Sequence, residues 1–368
     1  MNIKVLVCFL FFSFGYTSVL AQTKETDSTT SIYYDIHELS KKSKFNKFIY
    51  KLLFRSSALK VENLIPDTKP KVAPHITNKT NGKVIRNIYI ETLDPFGQSV
   101  KDETKKPKNT IEKFGNFIHI KTKNHTIKNL LLFKKNSICD SLLLKESERL
   151  IRSQRYIREV IITPITIENS NDSIDVKIRV LDSWTLIPTG SLSSSESSIK
   201  LTERNILGLG HLISGNIKNR FESNERATYA QYSINNVRNT YIRLDLNYAN
   251  DFNNDSRRSI NINRPFYSVI TKNAGGFYFE NRLQTEQFPL LDAFSLQEFS
   301  FDFQEYWYGR AFKINSKTNS ERYYTNLILA LTYNQKNFQR LLDEIIDPSR
   351  YFSNEKNWVG MIGISRQK

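Results

Sequence analysis

The stretch KESERLIRSQRYIREV, residues 145–160, passes from a helical to an extended pattern within one short run. Leu143, Ser147, Leu150 and Ile151 fall at i, i+4, i+7 and i+8, the rhythm of a helix with one buried stripe. Lys145, Glu146, Glu148, Arg149 and Arg152 fall on the opposite side, with Glu148 four residues before Arg152, so that side is expected to be solvated. Alone, the stretch reads as a charged surface helix. Its neighbours make it one piece of a small module.

Upstream, KVIRNIYIETL (83–93) sets Val84, Ile88 and Ile90 against Ile85, Asn87 and Tyr89, a strand partly buried on both faces. Asp94 to about Asn116 is polar and reads as a long loop. A short helix is predicted from Thr126 to about Leu132, followed by the break FKKNS (133–137), where Asn136 can take a left-handed conformation. The opening helix then runs from about Ser141 to Arg155. Two strands follow, REVIITPITIE (158–168) and SIDVKIRVLDSWTLIP (173–188). Pro164 has no N–H to give a ladder, so its strand is predicted to lie at an edge or carry a bulge. The order is β-α-α-β-β, with an edge strand open for pairing.

Beyond Trp184 the helical period gives way to alternation. In TYIRLDLNY (240–248), Ile242, Leu244, Leu246 and Tyr248 oppose Arg243, Asp245 and Asn247. EFSFDFQ (298–304) sets Phe299, Phe301 and Phe303 against Ser300, Asp302 and Gln304. Weaker versions occur at SSIKLTE, HLISGNIK, ATYAQYSI, SININ and TNLILALTY, separated by Asn, Asp and Ser clusters as antiparallel turns require. A soluble sandwich also alternates. The polarity of the second face (Arg243, Asp245, Asn247, Asn261, Asn263, Asp302) favours a transmembrane barrel with a wet lumen and a lipid-facing apolar band.

The first 21 residues, with Lys4 ahead of an apolar run and a cut after Ala21, read as a secretory signal peptide. Residues 22–82 are a polar segment, a basic amphipathic helix at 41–55 (KKSKFNKFIYKLLFR) and a linker from Asp67 to Gly82. That helix can lie on an anionic surface or pack on its own domain. The mature chain keeps one cysteine, Cys139, so no intramolecular disulfide forms. The formal net charge of +16 suits an anionic partner such as lipid headgroups or lipopolysaccharide; export argues against nucleic acid. The five histidines (His37, His75, His119, His125, His211) form no metal motif, and no nucleophile, phosphate-loop or C-x-x-C pattern is present. Gly208 and Gly210 in ERNILGLGH (203–211) precede no helix, which rejects a dinucleotide loop; they predict a tight turn with positive φ.

The run FKKNS…ESERLIRSQRYIREV…DSIDVKIRVLDSWTL, within about residues 83–190, resembles a POTRA domain, the periplasmic module of BamA/TamA-type outer-membrane assembly factors. Asn136 stands where that family usually has glycine. ERNILGLGH is similar to the family's N-x-x-G-x-G turn, with Asn205, Gly208 and Gly210 as the matching turn residues. RPFYS (264–268) falls where the family has a short periplasmic turn. The resemblance implies an α+β POTRA-like domain (β-α-α-β-β, residues 83–183) followed by an antiparallel transmembrane β-barrel (184–368), incomplete at about ten strands. It also implies an outer-membrane location with the N-terminal domain in the periplasm. The implied function is insertion of unfolded outer-membrane proteins, held on the edge strand at Arg158, Val160, Ile162, Pro164 and Thr166 and received at a seam beside Thr185–Leu192. Accessory lipoproteins are possible partners under this resemblance. No cofactor and no enzymatic step are expected. Two alternatives stay open: an export barrel for one protein or lipid cargo, and a porin or receptor barrel with a docking domain. Barrels of the family have sixteen strands, an Arg-Gly pair in a lumenal loop and a terminal aromatic residue. Here the chain stops at GISRQK, so a truncated copy or a partial record is expected.

Overall fold

In a computed structural model the described residues are 80–167, 170–253, 255–289, 294–314, 324–340 and 353–367. The chain divides into two units at Lys71/Val72, and every described residue lies in the second. The predicted signal peptide, basic helix and most of the linker lie outside the described residues.

The first part is an α/β unit. Strand β1 (Val84–Leu93) is followed by helices α1 (Thr110–Ile118), α2 (Asn124–Lys128) and α3 (Ser141–Arg152), then strands β2 (Ile157–Ile167) and β3 (Ser170–Asp182). The sheet order is β1-β3-β2, with β3 parallel to β1 and antiparallel to β2. The central strand alternates Ile174, Val176, Ile178 and Val180 into a core shared with Ile85, Ile127, Leu144, Ile151, Val160 and Ile162. Backbone bonds between residues 82–85 and 136–139 cover the start of β1, with Asn136 left-handed at φ 65°. Among the described residues, β2 has no strand on its other side. Pro164 sits in that edge strand, the place in a sheet where a residue without an N–H is tolerated.

Three sequence expectations need correction here. The polar insertion is not all loop: α1 occupies its end. Asn109 caps the helix by accepting from Glu112 N at 2.8 Å, and Glu112 reaches back to Lys108 N at 2.8 Å. This reciprocal N-x-x-E arrangement was the missed signal. The module is therefore β-α-α-α-β-β. In α3 the buried stripe is Leu144, Ser147, Leu150 and Ile151, with Leu143 half-buried. Glu146, assigned to the solvated side, is also buried, for a reason given by its partners below.

The second part is a ten-stranded antiparallel sheet, β4 (Leu186–Leu192), β5 (Glu196–Ile206), β6 (His211–Arg220), β7 (Arg226–Ile234), β8 (Arg243–Asn250), β9 (Ser256–Arg264), β10 (Asn273–Pro289), β11 (Phe294–Ile314), β12 (Tyr324–Arg340) and β13 (Glu355–Gln367). Each strand pairs with the next, and β4 and β13 do not pair with each other. Its burial is inverted relative to a water-soluble sheet. Ser214, Ser233, Asp245 and Ser259 are buried on one face, while Ile213, Ile217, Leu246, Ile260 and Ile262 are exposed on the other. Register explains this, because Ser214 pairs Gln231, Ser233 pairs Asp245, and Asn247 pairs Ser259, so polar residues meet along one face.

The aromatic run of β11 departs from expectation. Phe299 and Phe301 are buried, clustering with Phe288, Phe303 and Phe338. Register puts Phe303 opposite Glu280 and Glu280 opposite Ser259, on the sheltered face rather than the outward one, and Asp302 on the outward one. Packing among these rings, with Lys336 4.2 Å from the Phe301 centroid, fills that face where the strands are longest.

Candidate functional site

The turns joining β5–β6, β7–β8 and β9–β10 all reach the α/β unit and form a polar junction with it. In the first turn, Leu207, Gly208 and Gly210 have φ of 54°, 75° and 70°. Gly208 carries a second constraint. A Cβ there would lie 2.3 Å from the Lys121 carbonyl oxygen, so only glycine admits the contact. Its own carbonyl accepts from Lys123 N at 2.9 Å and from the Thr126 hydroxyl at 2.9 Å. Gly210 lies under the Tyr156 ring, where a Cβ would approach to 2.7 Å.

Asn205, 1% exposed, ties this turn to the unit. Its Oδ1 accepts from Gly210 N at 2.7 Å and its Nδ2 donates to Thr122 Oγ1 at 2.9 Å. Thr122 in turn donates through its hydroxyl to Asp182 Oδ1 and through its backbone N to Oδ2, both at 2.8 Å. His119 Nε2 lies 3.0 Å from Asp182 Oδ2, with both side chains buried. Asp182 ends β3, and Trp184 follows two residues later. Burial, and secondarily the Asp182 carboxylate, hold the Tyr156 phenol above the ordinary tyrosine range.

The second and third turns dock by different chemistry. Asn236 Nδ2 donates to Asn129 O at 2.7 Å, and the Tyr241 hydroxyl donates to Leu131 O at 3.3 Å. Arg238, Asn239 and Tyr241 hold φ of 48°, 64° and 58°, strained for residues with a Cβ. Tyr241 stacks on Tyr267 at 3.9 Å between centroids, which joins the two turns. In the third turn, Ser268 Oγ donates to Glu146 Oε2 at 2.7 Å, and Arg149 donates to Tyr267 O while pairing with Glu146 at 3.0 Å. Glu146 is buried because it faces the neighbouring turn and not water.

The sequence-assigned residues fall into two sets. Asn205, Gly208 and Gly210 are brought together as one turn. In the edge strand, Arg158 and Thr166 are exposed and Pro164 is half-buried, whereas Val160 and Ile162 are core residues at 3% and 1% exposure. Register shifts at the two ends of β2 separate them: Arg158 falls at the first shift and Thr166 borders the second, while Val160 and Ile162 between them point into the core and can offer only backbone to a partner. Sequence reasoning missed Thr122, Asp182, His119 and Tyr156, which come from three separate stretches of the chain with no shared local pattern. Among the described residues no cluster suits a metal ion, and no helix is long and apolar enough to cross a membrane.

No protein-family profile matches the chain, and no curated protein matches it. Solved structures similar to it include BamA from Haemophilus ducreyi lacking POTRA domains 1–3, at 11% identity and a TM-score of 0.36, covering 70% of this chain and 51% of that one. They also include CdiB from Acinetobacter baumannii, at 11% identity and a TM-score of 0.31, covering 87% of this chain and 80% of that one. The chain thus spans about half the length of the BamA chain.

Proposed function

We propose that this chain acts in assembly of outer-membrane proteins. The α/β unit lies in the periplasm and captures extended segments of unfolded clients, and the ten-stranded sheet is the outer-membrane part that receives them. The observation carrying this reading is the junction: a sheet edge open at β2 is held by three turns of a sheet with its apolar side outward. Adding a client strand to β2 uses backbone groups and depends little on client sequence. Tyr156 immediately precedes β2 and rests on Gly210, so the open edge begins at a turn of the large sheet. Exposed isoleucines and leucines over a sheltered polar face suit lipid outside and water within. Outer-membrane lipid and lipopolysaccharide are then the surrounding partners, and accessory lipoproteins enter from the sequence resemblance alone. No bond is made or broken in such a process, and no cofactor is required.

Depleting the protein and quantifying the outer-membrane proteome tests the proposal. Loss of many unrelated barrels is the expected result. Loss of a single cargo would instead identify an exporter. Unchanged barrels together with a stable ion conductance of the purified protein in planar bilayers would identify a porin.

A further inference from the structure

Helix α1 is amphipathic in the reverse sense for a unit surrounded by water. Its small and polar side faces inward. Gly115 lies on the Phe96 ring, where a Cβ would come within 2.7 Å. Asn116 accepts from Phe96 N at 3.1 Å and donates to Phe96 O at 2.9 Å. Its apolar side faces outward: Ile111, Phe114 and Phe117 are 59%, 51% and 62% exposed. At i, i+3 and i+6 they share an arc of about 120°.

The chain next to this arc is rich in lysine, with Asp102 close enough to Lys105 to interact with it. Lys105, Lys106, Lys108 and Lys113 are exposed, and Glu112 is the single acid among residues 105–113, so four positive charges less one negative leave +3. Glu112 is engaged by the Lys108 backbone N–H. The helix is also fixed beside the start of the large sheet. His119, its C-terminal cap, meets Asp182, and Phe96 beneath the helix stands 5.7 Å from Trp184, two residues before β4. Leu186, at the start of β4, pairs with Glu203 of β5, and Glu203 pairs with Ile213, an outward residue of the exposed apolar band.

We propose that α1 is an interfacial helix, seated in the leaflet next to the α/β unit. Ile111, Phe114 and Phe117 enter the acyl boundary, and the four lysines meet anionic lipid headgroups. This rests on the proposed placement of the large sheet in a bilayer. An apolar arc with a cationic margin is the pattern of helices lying in a membrane surface, and juxtamembrane lysines add attraction to anionic lipid. The attachment at Trp184 puts the arc where the sheet leaves the membrane. In this position α1 sets the height of the α/β unit, and with it of the open β2 edge, relative to the bilayer.

The test uses residues 22–368 carrying Cys139→Ser, with a spin label at Phe114→Cys or at Ile217→Cys. The protein is reconstituted in vesicles of phosphatidylethanolamine and phosphatidylglycerol. Both labels are expected to be accessible to oxygen and shielded from a water-soluble nickel chelate, the position-114 label at shallower depth. Replacing phosphatidylglycerol with phosphatidylcholine, or changing Lys105, Lys106, Lys108 and Lys113 to Gln, should shift the position-114 label toward the nickel reagent without moving position 217. If position 217 stays in lipid while position 114 is aqueous, the helix proposal is overturned and the sheet's placement stands. A position-114 label shielded from both reagents would mean that protein covers the arc, which also overturns it. An aqueous label at position 217 would overturn the sheet's membrane placement and the helix proposal with it.

Discussion

Asn205 satisfies its own turn with one end of its amide and the α/β unit with the other, so its removal strands groups on both sides. Asn205→Ala leaves Gly210 N and Thr122 Oγ1 without these partners in a dry site, at a cost of about 1–3 kcal/mol. The expected result is a lower urea midpoint followed by Trp184 fluorescence, with Trp307 and Trp358 replaced by Phe; an unchanged midpoint would show that the junction does not depend on this residue. Gly210→Ala should have a comparable or larger effect, because a Cβ meets both the Tyr156 ring and a positive φ. The junction should also be sensitive to alkali. Burial raises the Tyr156 and Tyr241 phenols, the latter further opposed by Tyr267. The folded state thus favours the neutral form, its stabilisation is complete below the unfolded value of about 10, and it is lost as pH rises through the folded value. Protease cleavage near Ser183–Thr185 should therefore increase above about pH 10, and Tyr156→Phe should delay it; equal cleavage in both proteins would exclude Tyr156 as the titrating group. Asn205 and the glycines were legible because turns demand particular residue types. Asp182, Thr122 and His119 were not, since their roles depend on contacts sixty residues apart.

Strand β2 is the element on which the functional proposal depends, and the register shifts at its two ends divide its residues. Arg158 and Thr166 face solvent, and Val160 and Ile162 close the core. Photo-crosslinkers at Arg158 and Thr166 should capture unfolded barrel proteins, whereas one at Ile162 should yield only intramolecular products or a destabilised unit. Capture from β1 positions such as Tyr89, with none from Arg158 or Thr166, would move the client edge to the other side of the sheet. Pro164 made β2 an edge from sequence alone, because a central strand cannot spare an N–H. Helix α1 escaped the same kind of reading for a physical reason. Its inward side is Gly115, Glu112 and Asn116, so the apolar periodicity that marks a packed helix points away from its own unit.

At the scale of the molecule, alternation foretold the number of strands but not which way every face would turn. β11 follows the general rule at Tyr306, Tyr308 and Phe312, which are exposed, and reverses it at Phe299 and Phe301, which cluster inward. Periodicity is blind to that choice, since it reports two faces and not their environments. The same sheet raises the question of closure. Among the described residues β4 pairs only with β5 and β13 only with β12, and Pro188 lies in β4, an edge strand where proline is tolerated. Each free edge presents a row of N–H and C=O groups, and in hydrocarbon every unsatisfied group costs several kcal/mol. Pairing β4 with β13 would need a particular tilt and stagger across ten strands. Residues 22–368 refolded in detergent are therefore expected to give a folded α/β unit joined to a labile sheet, with the same gel migration whether heated or not. A heat-modifiable, protease-resistant band spanning residues 184–368 would show that β4 and β13 do join and that ten strands suffice for a closed barrel.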